Sequence, residues 1–290
     1  MIPTTRFAPS PTGRLHLGHA WSALLAHDYA RERGGSFLLR IEDIDPGRAR
    51  TQHVDAILED LLWLGLEYDG EILYQSERLD LYAEARDRLK TRGLVYPCFC
   101  TRAEIAAEIA ASAAAPQDGG GSLYPGTCRA LAAADHERLL AERPHAWRLD
   151  VAAAIASLGG ELTWTDASAG EMVARPEAFG DVVLARKDAP ASYHLAVTVD
   201  DAAQGISDVV RGRDLFASTH VHRLLQALLD LPTPLYHHHP LLVDGQGRRL
   251  AKRTGAPTLA DLRASGTDPA ELVQRLRAGQ MPAGYSLTEA

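Results

Sequence analysis

The 290-residue sequence predicts an α/β protein in which an inserted module interrupts a parallel sheet. Three observations predict this fold class. Apolar, strand-like segments alternate with segments of helical periodicity through the first third of the chain. The first strand, Thr4–Ala8, leads through a turn rich in Pro and Gly directly into a helix. The alternation stops near residue 98 and returns near residue 191, which indicates an insertion.

Two buried strands and three helices are predicted before the insertion. The strands are short apolar runs, and the helices repeat apolar residues with a period near 3.6. Gly34-Gly35 follows the first helix, where a left-handed cap is expected. Arg40-Ile-Glu-Asp43 ends the second strand, at the sheet edge where such folds bind ligands. In chain order these elements are Thr4–Ala8, about Gly18 to Arg33, Ser36–Ile41, His53–Leu64 and Leu79–Arg92.

The rest of the chain contains the insertion, the return of the core and a helical tail. An Ala-rich helix, Arg102–Ala115, leads into Pro116–Ser122, a flexible excursion by composition. We divide the chain into residues 1–97 and 191–245 for the two core halves, 98–190 for the insertion, and 246–290 for a basic loop and tail. The further elements are strands at Ala146–Val151, Leu162–Thr165, Val182–Arg186, Asp208–Arg211 and Tyr236–Val243, and helices at Tyr193–Ala203, Ser218–Leu229, Leu259–Ala264 and Pro269–Ala278.

Composition and charge limit the classes of protein that this chain can be. Apolar residues make up 46% of it, and no apolar run approaches the ~18 residues of a membrane span. The N-terminus lacks a signal-peptide pattern, and three cysteines argue against a disulfide framework. We therefore expect a cytoplasmic protein without a membrane partner. The formal charge of −8 weighs against an extended nucleic-acid surface, although Arg248, Arg249, Lys252 and Arg253 cluster in one loop.

The most informative segment is Arg6-Phe-Ala-Pro-Ser-Pro-Thr-Gly-Arg-Leu-His-Leu-Gly-His19. A strand, a glycine-bearing turn and a helix start offer unpaired backbone N–H groups to a phosphate. His16 and His19 can add donors to the same anion. The segment is neither a dinucleotide fingerprint nor a P-loop. Alone, H-x-G-H is more often a turn beside core histidines, but together with Arg40-Ile-Glu-Asp43 it indicates a nucleotide site.

These segments resemble the nucleotide-binding signature of class I aminoacyl-tRNA synthetases, in the version found in glutamyl-tRNA synthetases. His16-Leu-Gly-His19 stands where that family has its HIGH motif, and Arg249-Leu-Ala-Lys-Arg253 resembles the KMSKS motif. In the second motif, Arg replaces the first Lys and Ala replaces the Ser. The resemblance extends from Thr4 to about Ala264. It implies a Rossmann-like catalytic core, an insertion that receives the acceptor end of tRNA, and activation of L-glutamate by ATP with Mg²⁺.

The resemblance also implies which residues form the amino-acid and ATP sites. Arg6 and Arg211 are candidates for the two carboxylates of glutamate, because the planar guanidinium fork matches a carboxylate. Glu42 would bind the ammonium group, unless it is a surface ion pair, and Tyr193 would add a neutral hydrogen bond. The implied glutamate site comprises Arg6, Phe7, Ala8, Pro9, Ser10, Glu42, Tyr193 and Arg211; the ATP site comprises His16, Gly18, His19 and Lys252, of which His16, His19 and Lys252 are the catalytic candidates.

All three cysteines lie close together in the sequence, at Cys98, Cys100 and Cys128. Structural zinc prefers four ligands, so the three cysteines would need a fourth ligand from another residue. The family resemblance supplies Tyr124 as the fourth, and the alternative is a set of small buried thiols. His237-His-His239 is not expected to bind a metal, because alternation along a strand points the middle side chain away from its neighbours.

By resemblance, full-length glutamyl-tRNA synthetases continue into a large helical anticodon-binding domain, and we expect this protein to lack it. By resemblance, we expect a truncated, monomeric paralogue that transfers glutamate to queuosine in the anticodon of tRNA(Asp). One alternative is a minimal enzyme that charges the 3′ end of tRNA(Glu). Another is a synthetase-like binding or regulatory protein without catalysis, which the altered Arg249–Arg253 motif favours. A nucleotidylyltransferase that shares only H-x-G-H is the most remote alternative.

Overall fold

The computed structural model describes residues 2–111, 123–250 and 257–288. The predicted excursion Pro116–Ser122 and the signature lysine Lys252 therefore lie outside the described residues. The strands are β1 Thr4–Phe7, β2 Ser36–Ile41, β3 Leu73–Tyr74, β4 Val95–Cys98, β5 Ala146–Leu149, β6 Thr163–Asp166, β7 Gly170–Val173, β8 Val183–Ala185, β9 Asp208–Gly212, β10 Leu235–His239, β11 Leu242–Asp244 and β12 Tyr285–Leu287. The helices are α1 Leu17–Arg31, α2 Thr51–Trp63, α3 Leu79–Thr91, α4 Arg102–Ala111, α5 Ala133–Glu142, α6 Val151–Leu158, α7 Tyr193–Ala203, α8 Ser218–Leu228, α9 Leu259–Ala264 and α10 Pro269–Arg277.

Two groups of parallel strands lie side by side in the centre of the fold. Strands β1, β2 and β3 pair in parallel, and β10 pairs in parallel with both β9 and β6. The two groups meet where the Ser207 N–H donates to the Thr4 carbonyl at 3.1 Å and the Thr4 N–H donates to Ser207 Oγ at 2.9 Å. The order across the molecule is thus β3-β2-β1-β9-β10-β6-β7. This arrangement confirms the predicted parallel α/β core.

The helices cover the strands with two large apolar clusters. One cluster contains Leu24 of α1 and Phe37 of β2, together with Ile57 of α2. The other contains Leu195 of α7 and Leu225 of α8. Among the described residues, the longest helix is α1 with 15 residues, and none is long and apolar enough to cross a membrane.

The segment 98–190 is joined to the parallel core through its strands. Strand β6 pairs in parallel with β10, with Asp166 opposite Tyr236, and β7 pairs with β6 in an antiparallel hairpin. Strands β4, β5 and β8 form a separate antiparallel sheet. The three predicted strands of this segment are therefore present, and one of them brings Asp166 to the core.

The structure differs from the predicted elements in two informative places. The chain after β5 turns at once into α6, because Asp150 caps that helix by accepting a hydrogen bond from the Ala153 N–H at 3.0 Å. The predicted strand Tyr236–Val243 is two strands, β10 and β11. Pro240 separates them, since proline has no N–H to donate to a ladder.

Candidate active site

A cavity of about 300 Å³ lies where β1, β2, β9 and β10 end. It brings together every residue predicted for the glutamate and ATP sites that the structure describes. Lys252 lies outside the described residues. The predicted residues that line the cavity are Arg6, Phe7, Ala8, Pro9, Ser10, His16, Gly18, His19, Glu42, Tyr193 and Arg211.

The turn after β1 is tied to the end of β2. The Glu42 N–H donates to the Pro9 carbonyl at 3.0 Å, and the Arg50 N–H donates to the Pro11 carbonyl at 3.1 Å. Proline has no N–H to donate, so its carbonyl is the only backbone group through which each of these residues can bond the neighbouring segment. The two segments that the sequence singled out are therefore held against each other, with Ser10 and Glu42 both at the cavity.

Helix α1 begins at the cavity with a cap built from two histidines. His16 Nδ1 accepts from the Gly18 N–H, and His19 Nδ1 accepts from the His16 N–H, both at 3.1 Å. These bonds assign the hydrogen of each neutral ring to Nε2. The expectation of an unpaired N–H at this helix start is wrong for Gly18, because the cap already uses that group. Glycine at position 18 nevertheless leaves room for the His16 ring, because a Cβ there would lie only 3.0 Å from His16 Cε1.

Arg6 is held by a buried carboxylate that the sequence analysis did not identify. Its Nε and Nη2 donate to Asp201 at 2.9 and 3.4 Å, and Arg40 Nη1 donates to the same carboxylate at 2.8 Å. Burial alone would raise the pKa of Asp201, but the two arginines hold it below its usual value. The positive charge of Arg6 is thus partly compensated before any ligand arrives. A signal was present, since Asp200-Asp201 interrupts an otherwise apolar helical face.

Glu42 lies at the cavity wall beside the second of these arginines. Glu42 Oε1 is 3.6 Å from Arg40 Nη2, and the side chains are 10% and 0% exposed, so this is not a surface ion pair. Burial raises the pKa of Glu42, and the attraction of Arg40 and Arg6 opposes that rise. Arg40 Nε and Nη2 have no hydrogen-bond partner among the described residues. Arg40 therefore acts on Glu42 mainly through its charge.

Arg211 differs from Arg6 because all its partners are neutral. It is 4% exposed, and no carboxylate of the described residues forms an ion pair with it. Its guanidinium contacts His238 Nε2 at 3.1 Å, Thr219 Oγ1 at 2.7 Å, the Leu215 carbonyl at 3.2 Å, and Tyr193 Oη and His222 Nδ1 at 3.3 Å.

Histidines surround Arg211 but do not add charge. Burial, and then the charge of Arg211, lowers the pKa of His238 and of His194 to about 4. The same two causes lower the pKa of His222 well below its usual value. All three imidazoles are therefore neutral near pH 7. Arg211 is a buried cation at the cavity, and no carboxylate of the described residues contacts it directly.

Arg249 reaches the cavity from the loop that resembles the second signature. Its Nη1 lies 2.7 Å from Asp214 Oδ2, and both side chains line the cavity. Asp214 lies two residues after Gly212, the last residue of β9, and a Cβ on Gly212 would come within 2.5 Å of its carboxylate. Arg249, at the described end of this loop, is thus held by an ion pair close to β9, the strand that carries Arg211.

The three cysteines and Tyr124 converge on one point. The Sγ atoms of Cys98, Cys100 and Cys128 lie within 4.8 Å of one another, and Cys100 Sγ is 3.6 Å from Tyr124 Oη. Tetrahedral zinc, with Zn–S bonds of about 2.3 Å, places its sulfur ligands about 3.8 Å apart. The donor set and its spacing therefore fit a structural zinc ion. Arg148 stacks over the Tyr124 ring at 3.9 Å and supplies positive charge beside this cluster.

The three consecutive histidines of β10 point to different surroundings, as predicted. His237 Nε2 is 2.9 Å from Asp208 Oδ1, and His239 Nε2 is 3.1 Å from Ser22 Oγ. His238 lies on the other face, against Arg211.

A wide groove of about 980 Å³ opens from the cavity toward the cysteine cluster. It shares Ser10, Glu42 and Tyr193 with the cavity and reaches Cys100 and Tyr124. Five basic side chains line it, which are Arg48, Arg102, Arg148, Arg186 and Lys187. Four acidic side chains line it as well, which are Glu42, Asp45, Asp181 and Asp188, and Arg186 pairs with two of them. The groove therefore has a small excess of positive charge and is large enough to admit an acceptor much larger than an amino acid.

Comparison with known proteins agrees with this arrangement. The family model described as tRNA synthetases class I (E and Q), catalytic domain, matches residues 3–285. A glutamyl-Q tRNA(Asp) synthetase from Rhodobacter capsulatus is 52% identical over 277 residues, which cover 92% of this chain and 97% of that one. A protein of the same name from Deinococcus radiodurans is 46% identical, covering 95% and 88%.

A solved structure shares the fold. The crystal structure of a glutamate tRNA ligase from Elizabethkingia meningosepticum, in complex with its amino acid, aligns with a TM-score of 0.78 at 27% identity. The alignment covers 95% of this chain and 60% of that ligase. The resemblance inferred from the motifs is confirmed: the chain belongs to the class I tRNA synthetases (E and Q), a family of ligases, and matches its catalytic domain.

Proposed function

We propose that the protein activates L-glutamate with ATP as glutamyl-adenylate and transfers the glutamyl group to queuosine in the anticodon of tRNA(Asp). Arg211 is the observation that carries the first half of this proposal. A guanidinium that is buried among neutral groups is costly, unless a ligand brings the missing negative charge. A carboxylate is the natural partner, because it matches the guanidinium fork.

The charge balance of the cavity favours glutamate over glutamine. Arg6 and Arg40 contact Asp201 and Glu42 directly, whereas Asp166 reaches Arg211 only through His238, so these three arginines exceed the carboxylates in direct contact with them by one charge. Glutamate has two carboxylates and one ammonium group, and its net charge of −1 completes the balance. Glutamine is neutral overall and would leave one buried cation uncompensated. A site built on charged groups rejects a ligand that lacks the matching charge.

In the activation step, an oxygen of the glutamate α-carboxylate forms a bond to the α-phosphorus of ATP. The bond from that phosphorus to the bridging oxygen breaks, and pyrophosphate leaves with its electron pair. Donors that meet the growing negative charge accelerate such reactions. We assign this role to the Nε2–H groups of His16 and His19 and to Lys252. Mg²⁺, when bound, neutralises phosphate charge.

The acceptor is inferred from the groove and from the relatives. The proteins from R. capsulatus and D. radiodurans are named for tRNA(Asp), and they match this chain along most of their length. A cis-diol in queuosine resembles the terminal ribose of tRNA, so one catalytic centre can serve either. An anticodon loop also presents splayed bases that proteins can read. One hydroxyl attacks the adenylate carbonyl carbon and loses its proton, and AMP leaves.

We further propose that Cys98, Cys100, Cys128 and Tyr124 hold a structural zinc ion, and that residues 98–190 form the inserted module around it. The convergence of their donor atoms supports this assignment. Zinc would cross-link the segment after β4 to the segment before α5. A monomer suffices for the reaction, because a single chain supplies the predicted site residues.

The test is glutamate-dependent exchange of pyrophosphate into ATP, followed by glutamate transfer to tRNA. Exchange with glutamate but not glutamine, and transfer to tRNA(Asp) only when it contains queuosine, are expected. Transfer to the 3′ end of tRNA(Glu) would instead identify a minimal glutamyl-tRNA synthetase. Absence of exchange would favour the non-catalytic binding protein.

A further inference from the structure

Strand β10 places a buried histidine between Arg211 and a second carboxylate. His238 Nε2 is 3.1 Å from Arg211 Nε, and His238 Nδ1 is 2.8 Å from Asp166 Oδ2. Both the imidazole and the carboxylate are almost completely buried, with side-chain exposures of 1% and 2%. The three groups form a chain that runs from β6 through β10 to the cavity.

The bonds to Asp166 determine which nitrogen of His238 carries the hydrogen. Asp166 Oδ1 accepts from the N–H groups of Ser168 and Ala169, and Oδ2 accepts from the His238 N–H at 3.2 Å. Although burial opposes it, these donors and His238 lower the pKa of Asp166, which keeps it ionised. An ionised carboxylate has no hydrogen to give, so His238 Nδ1 must donate. Nε2 is then left to accept the hydrogen of Arg211 Nε.

We propose that Asp166 and His238 are positioning residues that orient Arg211 for the carboxylate of the amino-acid substrate without neutralising it. This inference rests on the proposed function, since it assigns a role within the same site. Asp166 fixes the imidazole, and the imidazole offers Arg211 one directed but uncharged acceptor. The Nη atoms of Arg211 then keep their orientation through Thr219 and Tyr193.

The two arginines of the cavity show why an interposed histidine matters. Asp201 contacts Arg6 directly through both oxygens and compensates its charge. In the Arg211 chain, the carboxylate is one imidazole ring farther away, so more of the guanidinium charge is available to the ligand. Charge-assisted bonds are the stronger ones, which makes Arg211 the dominant anchor for a carboxylate.

The surroundings of His238 hold its ring in place. Tyr236 stacks parallel to it with ring centroids 5.8 Å apart, and the rings of Phe216 and Trp164 lie at 5.0 and 6.0 Å. Trp164 and Asp166 both belong to β6, in the segment 98–190. That segment therefore contributes to the amino-acid site without lining the cavity.

The chain also contains a matched control on the opposite face of β10. His237 Nε2 is 2.9 Å from Asp208 Oδ1, which repeats the histidine–carboxylate pair one residue away. Asp208 bonds Tyr29 Oη and Ser207 Oγ instead of an arginine of the cavity. Asp208→Asn therefore shows how much activity is lost when a histidine–carboxylate pair of this strand is weakened without a change in the orientation of Arg211.

The experiment compares Asp166→Asn with Asp208→Asn in pyrophosphate exchange. In Asp166→Asn, the amide oxygen can keep the bonds to Ser168 and Ala169 while the NH₂ group faces His238 Nδ1 and gives up the bond from the His238 N–H. Nδ1 must then accept, and Nε2 turns its hydrogen toward Arg211. We expect the KM for glutamate to rise about tenfold or more, as for loss of a charged hydrogen bond. The KM for ATP should change less than about twofold, and Asp208→Asn should change neither.

A spectroscopic readout separates positioning from a merely structural role. In protein labelled with ¹⁵N-histidine, the wild-type His238 signals should be those of the Nδ1–H tautomer. Asp166→Asn should shift them to the Nε2–H tautomer, and His238→Gln identifies which signals belong to this residue. An Nδ1–H tautomer that persists in Asp166→Asn, or an unchanged KM for glutamate beside a switched tautomer, would overturn the proposal.

Two substitutions of His238 keep the proposal testable if Asp166→Asn does not fold. His238→Gln places a carbonyl oxygen near the position of Nε2 and should retain a KM within a few-fold of wild type. His238→Leu has a similar size but no acceptor, and it should lose affinity for glutamate selectively. Equal KM values in the two variants would refute the positioning role. A wild-type protein without glutamate-dependent exchange would refute the proposed function itself, and the positioning role with it.

Discussion

Replacing Arg211 with glutamine tests whether the uncompensated charge of the cavity selects the ligand. The substitution removes the cation but keeps a polar side chain that can still bond Thr219 or His238. The guanidinium has only neutral partners among the described residues, so a substrate carboxylate would be its first counter-charge. We therefore expect Arg211→Gln to raise the KM for glutamate.

The expected magnitude follows from the surroundings of the two cavity arginines. A hydrogen bond to a charged group contributes about 1.5–3 kcal/mol, which corresponds to a ten- to hundredfold change in affinity. Arg211→Gln should therefore lower kcat/KM for glutamate by about ten- to a hundredfold. Arg6→Lys should cost less, because a lysine can keep the ion pair with Asp201 that already compensates Arg6.

The assay is pyrophosphate exchange, with glutamine as an internal control. Glutamine does not supply the missing charge, so its slow use should be similar in the wild-type protein and in Arg211→Gln. The preference for glutamate over glutamine should thus collapse in the variant. A parallel loss for both amino acids would contradict the reasoning, because it would mean that Arg211 only supports the fold. An unchanged KM for glutamate would refute its role as the carboxylate anchor.

Three further predictions concern the buried carboxylate, the cysteine cluster and the signature loop. Asp201→Asn should lower the free energy of unfolding by about 3–5 kcal/mol in urea titration, because it leaves two buried arginines without their shared partner. Since the folded-state pKa of Asp201 is lowered, this stabilisation should be present above pH ~4 and disappear in acid. Elemental analysis of protein prepared without chelator should find about one zinc per chain, and Cys100→Ser should remove most of it. Lys252→Ala should slow exchange by ~10²-fold or more at little cost in glutamate affinity, whereas Arg249→Ala should cost less, because Asp214 already binds Arg249.

The sequence predicted the cavity because its main segments carry strong local signals. Arg6 lies near the end of β1, His16 and Glu42 belong to motifs that follow β1 and β2, and parallel strands end at one edge of a sheet. Arg6, Glu42, Tyr193 and Arg211 were assigned to the glutamate site only through the family resemblance. Tyr193 and Arg211 lie in the same cavity because Tyr193 is the first residue of α7 and Arg211 is near the end of β9. Both elements belong to the second half of the core.

The partners of these residues could not be predicted, because they depend on tertiary contacts across long stretches of chain. Asp201 lies 195 residues from Arg6, and Asp166 lies 72 residues from His238. Asp200-Asp201 does interrupt an apolar helical face, but no local period shows which arginine such a carboxylate holds. The difference between a compensated Arg6 and an uncompensated Arg211 became visible only with these partners in place. It is this difference that points to the carboxylate anchor.

The most direct test of the account is the position of radioactive glutamate on tRNA(Asp) after reaction with ATP and the protein. The tRNA is prepared with and without queuosine and is cleaved after the reaction, so that the anticodon fragment separates from the 3′ fragment. The account predicts label in the anticodon fragment of the queuosine-containing tRNA, and no label in the tRNA that lacks queuosine. Label in the 3′ fragment, or equal labelling of both tRNAs, would contradict it.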